Sequence, residues 1–258
     1  MKIATWNVNS LRVRLSQVLE WLAKERPDIL ALQETKLQDP DFPFGAFKEA
    51  GYYALCTGEK TYNGVALLSR EPGKDAVTAL PGMDDPQRRL LGACYGSLSV
   101  LNVYVPNGSE VGSEKYQYKL NWLACLTAYA ERLLQEKGDL VLLGDFNIAP
   151  EDRDVYDPKA WEGQVLVSEP ERAVFGKLLG MGLRDAFRLF EQLPGSYSWW
   201  DYRAGAFRRN QGLRIDHILV SPSLAQRCKG CWIDKDPRKH TQPSDHAPAV
   251  LELHEVKG

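Results

Sequence analysis

Residues 140–150 read LVLLGDFNIAP. Leu140 to Leu143 form an unbroken apolar run, the pattern of a strand buried on both faces of a sheet. The chain then sets Asp145 and Asn147 one residue apart. Along an extended segment residues i and i+2 point the same way, so the acid and the amide leave the strand together. A carboxylate buried without a partner costs roughly several kcal/mol, so a compensating group is expected at the strand's end.

Working outward, four other stretches repeat this design. They are ATWNVNS with Asn7 and Asn9, LALQE with Glu34, LRIDHIL with Asp216, and PSDHAP with Asp245 and His246. Strands are expected at 2–8, 29–34, 65–69 after the turn dipeptide Asn63-Gly64, 89–106 as a pair joined near Gly96-Ser97, 214–221 and 247–254. Helical spacing marks Leu11, Leu15, Val18, Leu19 and Leu22, with Ser10 as the expected cap and Pro27-Asp28 as the stop. A longer helix is expected over 114–137, with Tyr118, Trp122, Leu126, Tyr129 and Leu133 on one side. Shorter helical segments are expected at 170–180 and 184–191. Strands alternating with helices predict a layered α/β fold, sheets inside and helices outside, with the polar strand ends gathered at one site. Apolar clusters recur throughout and no Ser/Gly or charged linker interrupts them, so residues 1–258 are expected to form one domain.

A 44% hydrophobic and 26% charged composition fits a soluble globular chain. The start, MKIATWNVNSLRVR, is not built as a secretory signal, and no apolar run is long enough for a bilayer, so a cytoplasmic location away from membranes is expected. The five cysteines are scattered, and Cys228 and Cys231 form a lone C-x-x-C with no partner pair, which predicts reduced thiols on or near a strand. A net charge of −2 does not advertise a polyanion binder. The local pattern leaves two readings open, a grip on a polyanion or a solvated arginine-rich loop: Arg88-Arg89, then Arg203, Arg208, Arg209 and Arg214 interleaved with Trp199, Trp200, Tyr202 and Phe207.

Each polar residue alone is explained by a turn or a surface position. Together, Glu34, Asp145, Asp216 and Asp245 would repel one another unless a cation joins them. Oxygen donors of this kind suit a hard ion, Mg²⁺ or Mn²⁺, rather than zinc.

The ordered motifs W-N-x-N, L-Q-E, Y-x-P-N-G, G-D-F-N-I-A-P, G-L-R-I-D-H-I-L-V-S and S-D-H-A-P run from Thr5 to about Pro248. In this order the chain resembles the exonuclease III family of DNA-repair AP endonucleases, within the superfamily that also holds deoxyribonuclease I, sphingomyelinases and inositol polyphosphate phosphatases. The stretch 198–222, SWWDYRAGAFRRNQGLRIDHILVSP, resembles the exonuclease III branch. The resemblance implies a four-layer α/β sandwich of two packed mixed β-sheets flanked by helices. It implies a divalent-metal-dependent hydrolase acting, as a monomer, on double-stranded DNA with abasic sites or damaged 3′ ends.

By the same resemblance Asn7, Glu34, Asp145, Asn147 and Asp245 are expected around the metal, one ion or two. Tyr104, Asp145, Asn147, Asp216 and His246 are expected to carry the chemistry, with either Asp145 or His246 as the base and Asp216 orienting the imidazole. Asn107 is expected on the phosphate, and Asn9 as a structural turn residue. Trp199, Leu213 and Ile215 align with a pocket for the bare sugar, or are simply core. Arg88, Arg203, Arg208 and Lys115 or Lys119 are expected to grip the backbone without reading sequence. Some relatives carry a DNA-probing arginine where this chain has Glu110 or Glu114. The balance of AP endonuclease against 3′-end processing therefore stays open, with AP incision favoured. Two rival readings are a lipid or inositol-phosphate phosphodiesterase and a nucleic-acid-binding module without turnover.

Overall fold

The computed structural model describes residues 1–254. One sheet holds β1 (Lys2–Asn7), β2 (Ile29–Gln33), β3 (Tyr53–Thr57), β4 (Val65–Ser69), β11 (Cys228–Ile233) and β12 (Ala249–Leu253), in the order β11-β12-β1-β2-β4-β3. The other holds β5 (Lys74–Val77), β6 (Leu90–Tyr95), β7 (Leu98–Tyr104), β8 (Leu140–Asp145), β9 (Arg184–Asp185) and β10 (Asp216–Val220), in the order β5-β6-β7-β8-β10-β9. Both are mixed: β1 runs parallel to β2 and β7 parallel to β8, and the other pairings are antiparallel.

Alternation along the strands sorts the core into three apolar zones. Ile3, Ile29, Ala31, Val65 and Leu67 face Leu91, Val100, Val141, Leu143, Ile218 and Val220 across the gap between the sheets. The opposite face of the first sheet, with Ala4, Trp6, Leu30, Leu32 and Leu68, packs on α1 (Leu11–Glu25) and α2 (Phe44–Glu49) through Val18, Trp21, Leu22 and Phe47. The opposite face of the second, with Leu101, Val103, Leu140, Leu142 and Leu219, is covered by α3 (Glu114–Lys137) and α5 (Glu169–Gly180), with the one-turn α4 (Pro158–Trp161) between them in the chain. The architecture is the expected four-layer α/β sandwich.

Three local expectations are corrected. Ser10 makes no capping bond with its side chain; it sits at φ 88° because the loop bends to donate Ser10 N to Glu34 O at 2.8 Å. Residues 184–191 are not an α-helix but β9 followed by a 3-10 turn at Ala186–Leu189, since Asp185 captures Phe187 N and Phe187 plugs the inter-sheet core. Asn63 and Gly64 do not make a two-residue hairpin; they close the longer loop 58–64 between β3 and β4. A Cβ on Gly64, at φ 87°, would meet Thr35 Oγ1 at 2.3 Å, so glycine is required there. Among the described residues no helix is long and apolar enough to cross a membrane.

Candidate active site

The inward rows that build the inter-sheet core change character at one end. Val141 and Leu143 lead to Asp145, Val220 and Ile218 to Asp216, Ile3 and Thr5 to Asn7, and Val100 and Asn102 to Tyr104. Register then aligns the ends: Asp145 lies opposite both Asp216 and Tyr104 in its ladders. A layer of amides separates this polar end from the apolar core. Gln33 Nε2 donates to Thr5 Oγ1 at 2.8 Å and to Asn102 Oδ1 at 2.7 Å, and Asn102 Nδ2 donates across the gap to Leu32 O at 3.0 Å and Ala66 O at 2.9 Å. No local signal marks this role for Gln33 or Asn102, although both fall on inward-facing positions of their strands.

Above that layer the acids converge. Asn7 Nδ2 donates to Glu34 Oε1 at 2.8 Å and to Asp145 Oδ2 at 2.9 Å, so one amide joins two strand ends. Asn147, at φ 50°, curls back on Asp145: its N–H donates to Oδ1 at 2.9 Å, and its Nδ2 lies 3.3 Å from Oδ2 and 3.0 Å from Val105 O. Asn107 Nδ2 donates to Asn147 Oδ1 at 3.2 Å. His246 Nδ1 donates to Asp216 Oδ2 at 2.8 Å, which turns Nε2 toward the cleft, 3.8 Å from Asp145 Oδ2. The Tyr104 hydroxyl faces Glu34 and Asp145, with the Arg89 guanidinium 4.6 Å over its ring.

Glu34, Asp145 and His246 each offer a ligand atom within 4.8 Å of the others. Asp245, expected as a ligand, lies outside this group. Its oxygens accept from Asn9 Nδ2 and Trp199 Nε1, each at 2.9 Å. Asn9 is thus more than a turn residue, and its Oδ1 in turn accepts from Lys36, whose ammonium also lies 3.0 Å from Glu34 Oε2.

Burial drives the Asp145 carboxyl up to about 7, with Asp216 and Glu34 adding to the rise, even though His246 pulls the other way. Burial alone would lower His246, but the charges of Asp216 and Asp145 dominate and raise it to about 10. Among the described residues Asp216 Oδ1 has no hydrogen-bond partner. Buried oxygen donors short of positive charge fit a hard divalent cation.

The expected DNA-binding residues divide. Arg203 and Arg208 are exposed, and Arg88 is half-buried beside the loop 58–64. Arg214 is not on the surface: its guanidinium is buried against Asp154 and Asp185. Lys119 is also corrected, because its side chain is 0% exposed and pairs with Glu171. Leu213 and Ile215 are buried with Ala149, Val155, Leu166 and Val167, so the core reading describes them; Trp199 at the edge of that cluster keeps open surface.

A polar cluster at one end of two packed sheets, built of acids, amides and one imidazole, is the arrangement of metal-dependent phosphoester hydrolases. The chain matches the family model described as the Endonuclease/Exonuclease/phosphatase family over residues 4–246, and it belongs to that family. It is similar to exodeoxyribonuclease III of Haemophilus influenzae, at 37% identity over 98% of this chain and 100% of that protein. Among solved structures it is similar to a 3′ phosphatase from Neisseria bound to a product DNA hairpin, with a TM-score of 0.97 and 47% identity over 99% of this chain and 100% of the other. It is also similar to an AP endonuclease from Archaeoglobus fulgidus, with a TM-score of 0.94 and 40% identity over 99% and 100% of the two chains.

Proposed function

We propose that this chain is a divalent-metal-dependent DNA-repair phosphodiesterase that incises the backbone 5′ to abasic sites and processes damaged 3′ ends, as a cytoplasmic monomer. The observation that carries it is the meeting of Glu34, Asp145 and His246 within 4.8 Å at the mouth between the sheets. The relatives act on the same chemistry by name, as an exodeoxyribonuclease, a 3′ phosphatase on DNA and an AP endonuclease.

Glu34 and Asn7 would hold the metal, with Asp145 and Asn147 as further ligands and Asp245 joining them on release from Asn9 or Trp199. A bound Mg²⁺ or Mn²⁺ supplies Lewis-acid polarisation of the phosphate and offsets charge on the leaving 3′ oxygen. The protein's own groups do the rest. Asp145, its Oδ1 fixed by the Asn147 amide at 2.9 Å, orients the attacking water and takes its proton. His246, fixed at Nδ1 by Asp216, presents Nε2–H to the phosphate oxygens where negative charge develops. Tyr104 and Asn107 hold the same phosphate from the β7 side. Arg88, Arg203 and Arg208 grip the flanking backbone, and Trp199 meets the sugar.

A second reading, a 3′-end processor with weak AP incision, is favoured by the exposed acids Glu110, on the loop after Asn107, and Glu114, which opens α3, both of which repel a second strand. Cleavage of an internal abasic duplex, a recessed 3′ end and a 3′-phosphate nick, each with Mg²⁺ and with chelator, tests both. Hydrolysis of at least one substrate, abolished by chelator, is expected. Hydrolysis of none with any divalent ion sinks the proposal, and activity on sphingomyelin or inositol phosphates instead supports a rival.

A further inference from the structure

Lys119 projects from α3, and its ammonium is fully buried. An ammonium has three N–H donors, and all three are engaged. Nζ donates to Asn147 O at 2.6 Å and Asn107 O at 3.1 Å, and it pairs with the Glu171 carboxylate of α5. Glu171 is equally saturated: it accepts from Leu166 N at 3.0 Å, Ser168 N at 3.1 Å and the Ser168 hydroxyl. One ion pair therefore ties two helices to both loops that carry the cleft's asparagines, and to Leu166, which packs with Leu213 and Ile215.

A pair serving stability alone gains little from burial, since apolar residues commonly replace buried ion pairs without loss. What an apolar pair cannot supply is a grip on two backbone carbonyls. Asn147 needs one, because its φ of 50° is a left-handed conformation that Asn tolerates without favouring. Its N–H is held by Asp145 and its carbonyl by Lys119.

We infer that Lys119 is a positioning residue: through the carbonyls of Asn107 and Asn147 it fixes both side-chain amides in the cleft, and with them the carboxylate of Asp145. The inference rests on the phosphodiesterase reading of the cleft. It is tested in the full chain with the double variant K119M/E171Q, which removes both charges and keeps a capping side chain, and with K119R, which keeps the charge.

For K119M/E171Q a folded protein is expected whose kcat falls about 10- to 100-fold while KM for DNA holds. Its Asn107 and Asn147 side-chain amide NMR signals should move. That of Asn102, held by Leu32 O and Ala66 O, should stay. K119R should recover part of the rate, and it carries the same two readouts if the double variant does not fold. An unchanged kcat per folded molecule, or unmoved Asn107 and Asn147 signals, overturns the inference. A wild-type chain inactive on every DNA end would instead remove the phosphodiesterase reading, and the amide signals would still decide whether Lys119 positions the two asparagines.

Discussion

Arg214 and Asp216 stand two residues apart, yet they enter two buried charge clusters of opposite kind. Around Arg214 the charges balance: Arg214 and Arg188 meet Asp154 and Asp185, with Arg214 Nε 2.6 Å from Asp154 and Nη2 2.8 Å from Asp185. Around Asp216 they do not: among the described residues Glu34 pairs with Lys36 while Asp145 and Asp216 share His246, three acids against two cations, and Lys119 acts on Asp145, and Arg238 on Asp245, only through space. Burial is similar in both, so the difference lies in counter-charge. A saturated cluster is finished by folding, and a deficient one is finished by something that binds. Where a buried carboxylate is driven upward as Asp145 is, the fold is holding a group that it does not itself need.

The largest effect that sharpens this contrast is expected from D145N. Turnover on an abasic or 3′-blocked substrate should fall about 10²- to 10⁴-fold at saturating Mg²⁺. Stability in chelator should go the other way. A carboxyl raised from 3.8 to about 7 by folding favours the folded state at low pH and loses that contribution as pH rises through this window. At pH 8 D145N should therefore melt no lower than wild type. Near-wild-type turnover would remove Asp145 from the role of base. A clear drop in melting temperature would put the two clusters in the same class.

In the balanced cluster the mirror experiment is R214M. It leaves Asp154 and Asp185 buried with Arg188 alone, and a loss of about 3–5 kcal/mol in urea unfolding is expected. A loss below 1 kcal/mol, roughly the worth of a surface pair, would mean that Arg214 is not structural in the sense argued here.

The two clusters were not equally legible in the sequence. The deficient one could be read because its acids sit at the tips of apolar runs, where alternation fixes which way they point. The balanced one could not: Arg214 finds Asp154 at a separation of 60 residues, and nothing in a Trp- and Arg-rich loop marks one arginine as buried and its neighbours as exposed. Lys119 hides in the same way, since its partner Glu171 lies on another helix and no local pattern marks the pair. The fold shows a parallel division. The apolar pattern gives bounds for all eight interior strands, β1, β2, β4, β6, β7, β8, β10 and β12, and for none of the edges β3, β5, β9 and β11. An edge strand here is partly exposed on both faces and carries no clean period, as the exposed Lys74 to Ala76 of β5 illustrate.

Metal addition should separate the clusters by ligand. At an ion concentration about 100-fold above its dissociation constant, binding to the folded state alone stabilises by about 2.7 kcal/mol. Mg²⁺ or Mn²⁺ should raise the wild-type melting temperature accordingly, and E34Q should lose most of the rise. R214M should keep it, from a lower baseline. An undiminished rise in E34Q would take the ion away from the inter-sheet cleft.

The smallest expected effect concerns two buried histidines that feel opposite surroundings. His246 faces acids and is raised; His217, one residue beyond Asp216, is held well below 6.5 by burial and by Arg214. Its Nδ1 accepts from Arg214 Nη1 at 3.0 Å and its Nε2 donates to Ile148 O at 2.8 Å, so a second ring proton has no acceptor. Folded His217 stays neutral while the unfolded chain takes up a proton below about pH 6.5. The stability it contributes is therefore present above that pH and lost as pH falls through it, by up to about 1.4 kcal/mol per pH unit. H217Q can keep both hydrogen bonds without titrating. Between pH 7 and 5.5 wild type should lose stability faster than H217Q, and the difference isolates His217 from the opposite slope of Asp145. Parallel curves would mean that the imidazole takes its proton inside the fold, and that charge at Arg214 is less tightly balanced than its partners indicate.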